Sequence, residues 1–233
     1  MRTARICFLM ILLCGAAIDS KAQDKPELTL ETDVVSQYVW RGLELGSCSL
    51  QPTVGISWKG FSLSAWGSVG LTDRDDCTEI DVTAQYSTGN LSLGIVDYWN
   101  DEDDNRYFHY NSHSTYHAFE GFIAYDFGIL NASWQTMFAG NDGVNNSGKR
   151  AYSSYFEVNV PFNLSGFNCD LSVGAVPYAT TYYETDKFNV TRASLRVTKE
   201  IKLNDHFTVP VFGEIATNPH SQKAWFVFGF TIQ

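Results

Sequence analysis

Apolar and polar residues alternate with period two from residue 28 onward. In LTLETDVVSQYVWRG, residues 28–42, Leu28, Leu30, Thr32, Val34, Ser36, Tyr38 and Trp40 share one face, and Thr29, Glu31, Asp33, Val35, Gln37 and Val39 share the other. Strict alternation over this length predicts a strand, because successive side chains leave a pleated backbone on opposite faces. Tyr38 and Trp40 close the apolar face before Arg41-Gly42 ends the pattern. A bilayer-crossing strand has this form, since Tyr and Trp favour the headgroup level.

The pattern recurs in twelve segments: 28–40, 53–59, 61–71, 79–86, 91–99, 116–127, 130–138, 152–162, 167–175, 188–199, 207–215 and 224–232. Connections after the even segments are short, at 59–60, 87–90, near 128, 163–166 and 200–205. Those after the odd segments are longer: 41–52, 72–78, 100–115, 139–151, 176–187 and 216–223. The expected fold is all-β, an antiparallel up-and-down transmembrane β-barrel of about twelve strands with its short turns at one end. A soluble exported barrel or sandwich has the same period. The even strand number, the loop asymmetry and aromatics near the segment ends favour the membrane barrel. Trp40, Trp66, Trp99, Phe138 and Tyr152 are expected at the long-loop rim, and Trp58, Tyr86, Phe127, Phe162 and Phe207 at the short-turn rim.

Residues 1–22 carry Arg2 and Arg5, an apolar run from Ile6 to Ala17, and Ser20-Lys21-Ala22 before Gln23. This is the form of a signal peptide, which leaves 23–233 as the barrel. No later apolar run approaches the ~20 residues of a membrane helix. The net charge of −10 excludes nucleic acid as a partner, since that binding depends on neutralising phosphates. The expected location is a bacterial outer membrane, with its lipid as a partner; the sequence does not give the oligomeric state.

Charged groups cannot face lipid cheaply, so Glu31, Asp33, Glu79, Asp81, Glu120, Glu157, Asp170 and Glu214, with Arg41, Lys59, Arg192 and Arg196, are expected to point into the lumen. Such a wall either selects solutes or fills the lumen with Arg–carboxylate pairs. Carboxylates outnumber cations there, so a pore would prefer cations modestly. Cys48 and Cys77 fall in adjacent long loops, where an oxidising compartment would let them pair; Cys169 reads as a buried hydrophobe. The acidic run Asp101-Glu102-Asp103-Asp104-Asn105 lacks the spacing of a calcium loop and reads as solvated, so no metal and no cofactor are expected. Ser112, His113, Ser114 and His117 invite a hydrolase reading, but His117 and Glu120 leave a strand on opposite faces, and no enzyme activity is expected.

Ser36-Gln37-Tyr38-Val39-Trp40-Arg41-Gly42 followed by Gln51-Pro52, then Ser64-Ala65-Trp66-Gly67-Ser68, then Glu79-Ile80-Asp81 with Tyr86, resembles the TorF-type porin family of small outer-membrane proteins. The likeness is specific over residues 30–100. It implies an outer-membrane barrel passing small hydrophilic solutes by passive diffusion, and it brings no catalytic residues. The chain departs from the usual aromatic last residue, closing on Phe230-Thr231-Ile232-Gln233. Two other classes remain: a non-conducting structural or surface-binding barrel, and a lipid-modifying barrel enzyme.

Overall fold

The computed structural model describes residues 25–73, 76, 78–101, 106–111, 114–205 and 207–233. The expected leader, Cys77 and most of the acidic run lie outside the described residues. Fourteen strands follow in chain order: β1 (Glu27–Val35), β2 (Tyr38–Trp40), β3 (Leu43–Gly46), β4 (Ser49–Trp58), β5 (Phe61–Gly70), β6 (Glu79–Thr88), β7 (Leu91–Asn100), β8 (Ala118–Asp126), β9 (Asn131–Gly140), β10 (Ser154–Leu164), β11 (Phe167–Val176), β12 (Asn189–Asn204), β13 (Phe207–Asn218) and β14 (Lys223–Ile232). Twelve of them form a closed antiparallel barrel, sealed where β1 pairs with both β4 and β14; β2 and β3 form a separate two-stranded sheet.

Closure leaves no sheet edge, which a hydrocarbon environment requires of any strand structure. Short turns such as Lys59-Gly60 and Ser165-Gly166 carry positive φ at both residues, a conformation whose twist matches that of the flanking strands. Strands of about ten residues, at ~3.3 Å each and tilted, span the ~25 Å apolar band of an outer-membrane barrel.

The exterior is apolar. Leu28, Leu30, Ile95, Ile123, Leu171, Ile215, Phe226 and Phe228 all face outward and are exposed, while their sequence neighbours face in. A soluble barrel would reverse this arrangement, because a continuous apolar exterior in water is unfavourable. The barrel is therefore built for a bilayer. At the short-turn rim Trp58, Phe127 and Phe162 are exposed, and Phe61 packs on Tyr86 with ring centroids 4.6 Å apart.

The first predicted strand is the main correction. It stops at Val35, and residues 38–46 fold inward as the β2–β3 hairpin. Arg41 (φ 45°) and Gly42 (φ 80°) form its turn, so the doublet that ends the alternation reverses the chain. Trp40 is wholly buried and Tyr38 nearly so; neither belongs to an aromatic rim. Trp99 also leaves the expected rim, buried with its ring 5.3 Å from that of Tyr107. Phe138 and Tyr152 stay exposed near the long-loop end.

Candidate functional site: the lumen and its hairpin

The hairpin crosses the lumen from wall to wall. Tyr38 packs on Trp66 of β5 at 5.8 Å, and Trp40 meets Tyr98 of β7 edge-on at 6.5 Å. At the far side the Asn218 side-chain amide of β13 donates to the Gly42 carbonyl at 3.0 Å, and Trp225 Nε1 of β14 donates to Glu44 at 3.3 Å. A Cβ on Gly42 would lie 1.8 Å from the Thr191 carbonyl oxygen of β12, so only glycine fits at this tip. Tyr182 and Tyr183 descend from the loop between β11 and β12; the Trp40 and Tyr183 rings stack at 5.7 Å. Tyr38, Trp40 and Leu45 of the hairpin, these two tyrosines, and Val96, Tyr98, Ala118, Met137 and Tyr155 of the wall form one buried cluster. At the long-loop end the lumen is packed like a protein core.

Arg41 locks this packing. Its guanidinium donates to both carboxylate oxygens of Glu120 on β8, at 2.7 and 2.8 Å, and to the Tyr183 hydroxyl. It lies 4.4 Å from the Trp40 ring centre and 4.7 Å from that of Tyr155. Burial works against its charge, but the Glu120 carboxylate more than offsets that, and Arg41 is held well above the ordinary guanidinium range. Burial likewise pushes the Tyr183 hydroxyl up, keeping it protonated. Glu120 also accepts from the Tyr98 hydroxyl at 2.8 Å, so the ion pair is hydrogen-bonded on both sides, as a buried pair must be.

Below this lock the lumen opens into a cavity of about 570 Å³ that reaches Asn163 and Asn168 at the short-turn end. Its wall mixes charged groups (Arg41, Glu120, Glu157, Asp170, Arg192 and Arg196), amides and hydroxyls with apolar side chains such as Val96, Phe122 and Phe162. Arg192 bridges Glu214 at 2.8 Å and Glu157 at 3.6 Å; Glu157 also accepts from the Tyr155 hydroxyl at 2.8 Å. Arg196 lies 3.5 Å over the Phe212 ring, and its strand register sets it across from Asp170.

The other lumen residues fall at separate places. Glu31 and Asp33 face inward from β1, half-buried, and Asp33 accepts from Thr231 at 2.5 Å. Glu79 and Asp81 are buried on β6 and do not line the cavity. Lys59 does not point into the lumen as expected: it lies in an exposed turn at the short-turn rim with its ammonium 4.7 Å over the Trp58 ring. Cys169 is buried, and Cys48 is half-buried, with no disulfide among the described residues. Because Cys77 lies outside the described residues, its pairing with Cys48 stays a prediction.

Sequence reasoning missed Tyr98, Tyr155 and Tyr183 as partners of the charged groups. The first two were within reach, since Tyr98 has the parity of Val96, and Tyr155 that of Glu157. It also missed the acid beside His117. That imidazole, one residue before β8, bonds Asp97 at 2.7 Å and the Tyr107 carbonyl at 2.5 Å, while Glu120 leaves β8 inward. His109 Nε2 lies 2.9 Å from Ser114 Oγ, exposed in the same loop.

No family model matches the chain, and no curated protein does. Among solved structures, one described as a NanC porin in a rhombohedral crystal form aligns at 7% identity over 87% of this chain and 98% of that one, with a TM-score of 0.47. A second, from work on in-meso crystallization of membrane proteins, aligns at 8% identity over 87% of this chain and 81% of the other, with a TM-score of 0.42.

Proposed function

We propose that the protein is an outer-membrane channel of porin type, passing small hydrophilic solutes and modestly preferring cations. The observation that carries this reading is a cavity of about 570 Å³ bearing six charged side chains inside a barrel with an apolar exterior, running from the short-turn end up to Arg41. The inward carboxylates are not all matched. Arg41 neutralises Glu120, and Arg192 serves Glu157 and Glu214. Apart from the buried pair Glu79 and Asp81, which does not line the cavity, Glu31, Asp33 and Asp170 have no ion pair among the described residues, leaving three carboxylates against Arg196. Low-dielectric walls focus such a field on a passing ion, and carboxylate rings favour cations. The long loops belong outside the cell on this reading.

The test is single-channel recording in a planar bilayer with a salt gradient. The expected result is a small conductance whose reversal potential reports cation preference, weakened in Asp170→Asn and at high salt, where the Debye length falls to about 3 Å near 1 M. An anion preference would overturn the charge argument. A second reading, a non-conducting structural or surface-binding barrel, is favoured by the full burial of Trp40 across the lumen. No conductance in either the natural protein or a variant without the Arg41 lock would select it.

A further inference from the structure

On the β5–β6 wall sits a polar centre that the cavity does not use. Glu79 and Asp81 project side by side from the inward face of β6, 1% and 0% exposed. The register sets Ser68 of β5, itself 3% exposed, opposite Glu79. The Tyr38 hydroxyl of the hairpin donates to one Glu79 oxygen at 3.0 Å and covers the pair. The remaining Glu79 oxygen, both Asp81 oxygens and Ser68 Oγ have no partner in full hydrogen-bonding geometry, the Trp99 backbone N–H approaching Asp81 without completing a bond. The two carboxyl groups approach each other, and among the described residues neither makes an ion pair; Arg41 is committed to Glu120.

Two adjoining carboxylates this deep are unfavourable unless a proton or a cation compensates their charge. A proton shared between them would bond only two of the four oxygens. A divalent cation would take all four and bring the buried charge to zero. A set of oxygens alone suits a hard ion that accepts six to eight of them, with backbone carbonyls or water completing the shell. We propose that Glu79, Asp81 and Ser68 bind a divalent cation of the Ca²⁺ class. Through Tyr38, the same site anchors the base of the hairpin to the wall. The inference does not depend on the barrel conducting.

The experiment uses the folded barrel in detergent micelles with Tb³⁺ as the probe, excited through tryptophan, since Trp66 lies opposite Asp81 in the register. Emission is expected to saturate at one ion per barrel and to be displaced by Ca²⁺. It should be lost in Asp81→Asn and unchanged when Asp101, Asp103 and Asp104 of the acidic loop are all made Asn. Ser68→Ala removes one small hydroxyl and keeps the test decisive if Asp81→Asn does not fold; Ca²⁺ affinity should fall about tenfold or more, the loss typical of even an outer-shell partner. Emission that survives Ser68→Ala at full affinity, or that disappears with the loop substitutions, would overturn the site. So would a protonated-carboxyl infrared band that persists in Ca²⁺.

Discussion

Arg41 and Glu120 meet through two parallel hydrogen bonds of 2.7 and 2.8 Å, joining the turn of an infolded hairpin to the barrel wall 79 residues further along the chain. A bidentate pair of this kind fixes orientation as well as distance. Its loss should therefore release the hairpin rather than merely weaken it.

Arg41→Ala leaves Glu120 buried and unpaired, a change that costs on the order of 3–5 kcal/mol in buried pairs. The expected outcome is a lower unfolding temperature together with a larger single-channel conductance. Adding Glu120→Ala removes the stranded charge and should recover most of the stability while the conductance stays high. Unchanged conductance in both variants would mean that the hairpin does not obstruct the lumen. Glu120 is also a poor probe of selectivity, because neutralising it disturbs the lock; Asp170 is the cleaner choice.

Gly42→Ala tests the residue beside Arg41 in the same turn. The added methyl meets the Thr191 carbonyl oxygen, and φ of 80° is itself unfavourable for alanine. The tip should lift from β12 while the barrel strands stay paired. Hydrogen exchange should rise at residues 38–46 and stay unchanged in β6–β9. Equal protection of the hairpin in both proteins would contradict the fit described above.

Ile123 tests the bilayer-facing exterior. It points outward from the middle of β8 and is 51% exposed. Ile123→Arg should destabilise the barrel refolded into lipid by about 2–4 kcal/mol, as a cation near the midplane does. The same substitution in a water-soluble barrel would be nearly neutral, and a neutral result would argue against the membrane.

The Cys48–Cys77 bridge has gained a structural motive. Asp76 accepts from the Ser47 backbone at 3.0 Å and from its hydroxyl at 2.7 Å, tying together the residues that precede the two cysteines. Peptide mapping of oxidised protein without reductant should find the two linked. Both thiols free after oxidation would reject the bridge.

The strands were legible because each carries its own parity, and a wall that is apolar outside and polar inside cannot shift register by one residue without inverting. For the same reason Glu120, Glu157, Arg192 and Arg196 could be placed in the lumen before any contact was known. The hairpin was not legible, since Tyr38 and Trp40 keep the period of the strand before them and only Arg41-Gly42 hints at the reversal. Nor does parity say which inward groups meet. Arg41 reaches Glu120 rather than Glu79 because of where a loop lands across the barrel, and that is a property of closure. Asp97 escaped notice because a carboxylate on the outward face breaks the rule used to find the others. It is tolerated there by the His117 imidazole and the loop above it.

The place of the hairpin in the chain sets an order of assembly. Residues 38–46 are made early, yet the tip rests on Thr191 and Asn218, and Glu44 is held by Trp225 near the end. None of these seats exists until β12, β13 and β14 are in the wall. Its contacts with β5, β7 and β8 need only the first half of the wall, but the tip is fully seated only once β12, β13 and β14 have closed the ring, so the hairpin's final lock reports a completed barrel.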